Sequence, residues 1–329
     1  MRSIAPALAL VLTAALAAPS AAQSLDIREW PVPWEDSRPR DPFVDGNGQV
    51  WFVGQRGNYV AALDPESGEF RRFELPERAL PHNLIVDDAG IVWYAGNGNA
   101  HIGRLDPATG EVEQIPMPDD AARDPHTLAF DANGDIWFTV QGGNFIGRLD
   151  TGSREVRLVA SQTPRSRPYG IVVDDSGRPW INLFGSNKLA TVDPQTFELR
   201  EIALQREDAR TRRIGLTSDG AVWYVDYAQG FLGRLDPASG DVQEWALPGG
   251  TGSRPYAMAV DAQDRIWAVE TGAEPNRFVG FDPRTEEFFG TTAVPSGGGT
   301  IRHMVFDAPS NTIWFGTDTN TIGRIVLPR

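Results

Sequence analysis

The sequence has no cysteine. That excludes disulfides, a thiol nucleophile, a thiolate metal site and a lipid-modified N-terminal cysteine. Lysine is almost missing as well: Lys188 is the single lysine among 30 basic residues, the rest being arginine. Histidine is scarce, with four in the chain. Beyond the first 22 residues no apolar run approaches the roughly 20 residues that a membrane-spanning helix needs, and no stretch carries the 3.6-residue periodicity of a long helix. Positive charge is in deficit overall, at a formal net −14. A chain this acidic repels nucleic acid and anionic membrane surfaces, so neither is an expected partner. With 41% hydrophobic and 22% charged residues, the composition is that of a globular protein able to build a core without cross-links.

The N-terminus reads as a targeting segment. Arg2 gives it a basic start, Ile4 to Ala18 is rich in Ala, Leu and Val, and Ser20-Ala21-Ala22 supplies small residues at a cleavage site. Residues 1–22 are therefore expected to be a signal peptide, removed from a periplasmic or secreted protein of residues 23–329. A monomer is expected.

The dominant feature of the remaining chain is a repeat. Trp51, Trp93, Trp137, Trp180, Trp223, Trp267 and Trp314 follow one another at 42 to 47 residues, a period that points to propeller blades. The third copy shows the unit: His126–Asp131, Ile136–Val140, Phe145–Leu149 and Glu155–Val159 alternate as strands, parted by Asn/Gly/Asp-rich turns. The predicted fold is thus all-β: a seven-bladed β-propeller with four antiparallel strands per blade. The last copy, Arg302 to Pro328, supplies only three strands. Leu25–Pro31 resembles the fourth strands of other copies, so the mature N-terminal strand is expected to close the ring.

In such a blade the first strand is innermost, and its start lies on the same face as the end of the second. Counting eleven residues back from each ladder tryptophan gives seven strand-1 entrances: Arg40, His82, His126, Tyr169, Arg212, Tyr256 and His303. Counting three forward gives strand-2 ends, among them Asp226 and Glu270 on adjacent blades. The repeat is regular elsewhere and diverges here, which marks a shared mouth as the site. Arginines gather in the preceding loops, including Arg38, Arg210, Arg213, Arg254 and Arg302. Because Arg reads carboxylates through paired donors, a small anionic molecule is the expected ligand. The plainer alternative is that these arginines form surface ion pairs. Asp226 and Glu270 are expected either to share a divalent cation or to pair with nearby arginines.

The motif Trp-Phe-Thr…Gly-Gly-Asn-x-Ile-Gly-Arg-Leu (Trp137–Leu149) and the blade openings Pro81-His82 and Pro125-His126 resemble those of the streptogramin (virginiamycin B) lyase family, over nearly the whole mature chain. The resemblance implies a carbon–oxygen lyase that opens an ester or lactone by elimination, with a histidine as base and Mg²⁺ held by two glutamates. It puts His303 in the place of the base and Tyr256 in that of a substrate-contacting histidine; Arg40, His82, His126, Tyr169 and Arg212 are expected to bind substrate with it from their place at the mouth. On the last blade Ile301 and Thr317 stand where the metal-binding glutamates belong, which leaves Glu270 and Asp226 to hold the ion. A non-catalytic propeller that binds a small ligand or a protein at the same mouth is the alternative. A lactonase of the gluconolactonase type is a third, disfavoured by the count of seven tryptophans.

Overall fold

A computed structural model describes residues 24–328; the signal-peptide expectation lies outside them. The described chain forms seven four-stranded antiparallel sheets arranged as blades. The only helical element among these residues is one 3₁₀ turn, Gly250–Gly252, and no helix is long and apolar enough to cross a membrane. Six blades take their strands in sequence order. The seventh joins Met304–Asp307, Thr312–Gly316 and Thr321–Val326 to Asp26–Pro31 as its outer strand. That pairing runs from Asp26 opposite Val326 to Pro31 opposite Thr321.

The ladder tryptophans are all buried, and each packs in a cluster shared with the next blade, as Trp51 does with Leu84 and Val86. Their indole N–H groups need partners once buried. The repeat supplies an aspartate six residues earlier. Asp45 accepts from the backbone N–H of Asn47 at 2.8 Å and Gln49 at 3.0 Å through one oxygen, and from Trp51 Nε1 at 2.8 Å through the other. One side chain thus shapes the turn between strands one and two and fixes the ring that follows it. Asp87, Asp174 and Asp261 do the same for Trp93, Trp180 and Trp267. In blade 5, Thr217 takes over for Trp223. In blade 3, Arg148 claims the second oxygen of Asp131 and the Trp137 indole is left unpartnered.

The glycine of the Ile-Gly-Arg-Leu motif is set by close approach. Gly147 lies opposite Phe138 in register, and a Cβ there would sit 2.1 Å from the end of the Phe138 ring. The ring lies flat across the third strand, and only a residue without a side chain leaves room for it.

Candidate functional site

The first strands line the axis, and their mouth-side ends are irregular. Strand pairing shifts register after Arg40 and across Pro125/Leu128, Pro168/Ile171, Thr211/Arg213 and Pro255/Met258. In blades 2 and 7 pairing begins only at Leu84 and Met304, leaving His82 and His303 ahead of the ladder. All seven entrance residues therefore lie at or beside a bulge or an unpaired start. Bulges re-aim side chains, and here they turn the seven toward one another.

The contacts run around the ring. His82 and His126 stack with centroids 3.5 Å apart, and His126 meets Tyr169 at 4.1 Å. The phenols of Tyr169 and Tyr256 hydrogen-bond across blade 5. Between these two blades the Arg212 guanidinium lies 4.2 Å from the ring centres of Tyr256 and Phe184 and 3.9 Å from that of Tyr227, an aromatic collar that engages its faces. The Arg212 Nε has no hydrogen-bond partner.

Asp41, which sequence reasoning did not single out, and Arg213, one of the loop arginines, complete the arrangement. Asp41, fully buried, accepts from Arg40 Nε at 3.0 Å, Asn83 Nδ2 at 3.2 Å and Arg213 Nη2 at 3.3 Å. Arg213 also donates to the carbonyl of Arg302 at 2.9 Å. From blade 5 it thus reaches blades 1 and 7 across the axis. Neighbours on a regular strand point to opposite faces; the bulge at Thr211/Arg213 allows both Arg212 and Arg213 to serve the channel. The signal for Asp41 was its frame, Pro39-Arg40-Asp41-Pro42, whose prolines forbid a regular ladder.

Electrostatics follow from burial. Desolvation would push the Asp41 carboxyl up, yet Arg40, then Arg213, hold it well below the usual carboxylate range. Desolvation is also the first cause that lowers His82 and His126 far below the ordinary histidine value, with arginines adding to it. It moves His303 down to about 3, with Arg213 next. The three imidazoles are therefore neutral at neutral pH, and the axis carries three guanidiniums against one carboxylate.

The strand-2 ends need correcting by one residue. The positions three past each tryptophan are buried inside the blades, whereas those four past it face the mouth. Gln55 accepts from Arg40 at 3.0 Å, Phe184 and Tyr227 collar Arg212, and Asp318 pairs with Arg302. Side chains alternate along a strand, so an offset of one residue exchanges inside for outside. Glu270 and Asp226 consequently sit away from the ring. Glu270 accepts from the Gly249 amide at 2.6 Å and pairs with Arg277. Asp226 takes the amides of Arg210, Ala228 and Gln229 on one oxygen, while its other oxygen is buried and unpartnered. Burial raises the Asp226 carboxyl above the usual range. Neither forms a hydrogen bond or ion pair with any entrance residue. Among the described residues no group of three or more His, Asp or Glu could hold a metal ion. Mg²⁺ requires several free oxygen donors in octahedral array, so the donors as placed do not fit it.

Outside the axis, a rim cavity of about 520 Å³ at the seam between blades 7 and 1 is lined by Ser37, Arg38, Arg56, Arg302, Asp318 and Asn320 among others.

A family model described as the virginiamycin B lyase family matches residues 19–192 and 154–328. Among solved structures, a streptogramin B lyase superposes with a TM-score of 0.83 at 26% identity, covering 92% of this chain and 98% of that one. A selenomethionine-substituted virginiamycin B lyase from Staphylococcus aureus gives 0.84 at 23% identity, covering 93% and 100%. The extracellular domain of a putative one component system from B. thetaiotaomicron gives 0.69 at 15%, covering 93% of this chain and 42% of that one. Among curated proteins nothing matches.

Proposed function

The chain belongs to the virginiamycin B lyase family, and from that premise we propose that its mouth binds a small carboxylate-bearing molecule. The observation that carries this reading is the charge balance at the axis: Arg40, Arg212 and Arg213 meet one carboxylate, Asp41. Arg212 is held by its ring faces with Nε unpaired, so its edge is preorganised for an acceptor. A charge-assisted hydrogen bond to such a donor contributes about 1.5–3 kcal/mol.

A second reading, elimination at an ester or lactone, draws support from His303. Its Nδ1 is buried without a partner and its ring is neutral, so it can accept a proton. In that step the base takes the proton α to the carbonyl, the alkyl C–O bond breaks, and a carboxylate leaves. The low basicity of His303 weighs against it, since a general base works best with its pKa near the operating pH.

One set of experiments tests both. Calorimetric titration with acetate and benzoate, and with their neutral amides, is expected to show binding of the acids alone. Arg212→Gln should weaken it by about tenfold or more. Equal affinity for acid and amide would discard the first reading. Incubation with virginiamycin B, followed by mass spectrometry, addresses the second. Elimination opens the ring with no change in mass, whereas hydrolysis adds a water. An untouched antibiotic, or opening that survives His303→Ala, removes that reading.

Residues 1–22 support export to the periplasm or the exterior. Fractionation of cells expressing the full-length chain is expected to find a shortened protein outside the cytoplasm; an uncleaved cytoplasmic protein would contradict it.

A further inference from the structure

The two axial tyrosines are more than a wall of the mouth. Tyr256 and Tyr169 are both about 4% exposed and joined phenol to phenol. The groups that face them are predominantly cationic. Blade 5 presents Arg212, 4.2 Å from the Tyr256 ring centre, and Arg213, 5.5 Å from that of Tyr169. Tyr227 packs edge-on to Tyr256 at 5.7 Å. Blade 1 presents Arg40, and Asp41, which is shared between Arg40 and Arg213. Blade 3 presents His126, neutral. On the paired strands Glu270 lies opposite Pro255 but is tied to Arg277, and Asp226 lies opposite Thr211 but is tied to backbone amides. Neither acid bonds a phenol.

Three guanidiniums and one carboxylate leave an excess of positive charge where Arg40 and Arg213 are buried, which is unfavourable without a counter-charge. The nearest groups able to supply a negative charge are the two phenols. Only one of them can, because a second phenolate beside the first is repelled. Desolvation opposes ionisation of both. For Tyr256 this is outweighed by Arg212, then Arg40 and Arg213, and by the hydrogen bond from Tyr169. Arg212 lies 4.2 Å from the Tyr256 ring centre against 5.6 Å from that of Tyr169, and desolvation, then Tyr256, moves Tyr169 upward; the charge therefore falls on Tyr256, with Tyr169 as the donor of the shared hydrogen bond. The other shifted tyrosines, Tyr59, Tyr94 and Tyr224, also move up.

We propose that Tyr256 is the proton-releasing group of the mouth: its phenolate is the built-in anion of the arginine cluster, and a ligand carboxylate replaces that charge while the phenol takes its proton back from solvent. The second half rests on the carboxylate reading above; the first half does not.

The experiment is an alkaline titration of the ligand-free protein, followed in the near-ultraviolet phenolate band. Wild type is expected to show one phenolate step below the usual tyrosine value of about 10. Tyr256→Phe should lose that step, and Arg212→Gln should move it upward. Superimposable wild-type and Tyr256→Phe curves overturn the proposal. If Tyr256→Phe does not fold, as judged by near-ultraviolet circular dichroism, Tyr169→Phe decides. It keeps Tyr256 but removes the donated hydrogen bond, so the step should move up, and an unmoved step overturns the assignment. Sodium acetate is then added at the midpoint of the step, against sodium chloride of equal ionic strength. Acetate is expected to reduce the phenolate absorbance, with affinity falling up to tenfold per pH unit above the step, since binding takes up one proton. A step that acetate does not reverse leaves the phenolate in place and overturns the carboxylate reading. A missing step overturns the phenolate whatever acetate does.

Discussion

Deleting residues 24–33 is expected to leave a protein that does not fold to a monomer, or that unfolds well below the temperature of the intact chain. The segment does far more than complete a sheet. Trp30, buried, stacks on Trp314 at 5.4 Å. A side chain of that size covers 150–250 Å², which at about 25 cal/mol per Å² amounts to about 4–6 kcal/mol. The Glu29 carboxylate accepts from the Ser296 amide at 2.8 Å, and from Ser296 Oγ and Thr321 Oγ1 at 2.6 Å each. The amide of Leu25 donates to Thr292 Oγ1 at 3.0 Å. The strand therefore fastens blade 6 as well as blade 7. Its loss also bares the edge Thr321–Val326, a template for pairing with another chain. Thermal unfolding with size-exclusion chromatography measures both effects. Trp30→Ala should give an intermediate loss of about 3–5 kcal/mol. A truncated protein that stays monomeric with an unchanged midpoint would contradict this account.

The second large effect lies at the axis. Asp41→Asn is expected to cost about 3–5 kcal/mol, because it strands Arg40 and Arg213 as buried charges without their counter-ion. The same network sets the pH dependence. The folded-state pKa of Asp41 is depressed, so its contribution is complete above the unfolded value near 3.9 and is lost as pH falls below it. The axial histidines add to this. Their folded values are also depressed, His303 to about 3. The unfolded chain therefore binds more protons below about 6.5, and stability declines from there downward. Thermal midpoints at pH 7, 5 and 4 should fall steadily in wild type. Asp41→Asn should start lower at pH 7, show the same histidine decline down to pH 4, and lack the further loss that wild type shows below pH 4. A wild-type midpoint that does not change between pH 7 and pH 4 would refute the assignment of the histidines, and an unchanged midpoint below pH 4 that of Asp41.

The fold was legible because a propeller writes its period openly. One buried tryptophan in every blade, with a turn aspartate before it and a glycine after it in most, reflects packing demands that recur around the ring. The site was legible only in part, and the boundary between success and failure is physical. The axial position of the entrance residues was legible because divergence within a regular repeat stands out. Asp41 was missed because a bulge breaks the two-residue alternation that sequence reasoning relies on. Glu270 and Asp226 were placed at the mouth by a count ending one residue short; Tyr227, the residue after Asp226, and Phe184 at the same position of blade 4 collar Arg212 instead. Nothing in the composition of those strands reveals their phase. That depends on where the ladder starts, and the bulges decide it.

Arg213 has a mechanical consequence. Anchored in blade 5, it grips blade 1 through Asp41 and blade 7 through the Arg302 carbonyl, while Trp30 clasps the outer rim between blades 7 and 1. The wheel is thus fastened at its hub as well as at its circumference. Prying the seam between blades 7 and 1 apart means breaking both fastenings together, so the ring of side chains at the axis is braced before any guest arrives.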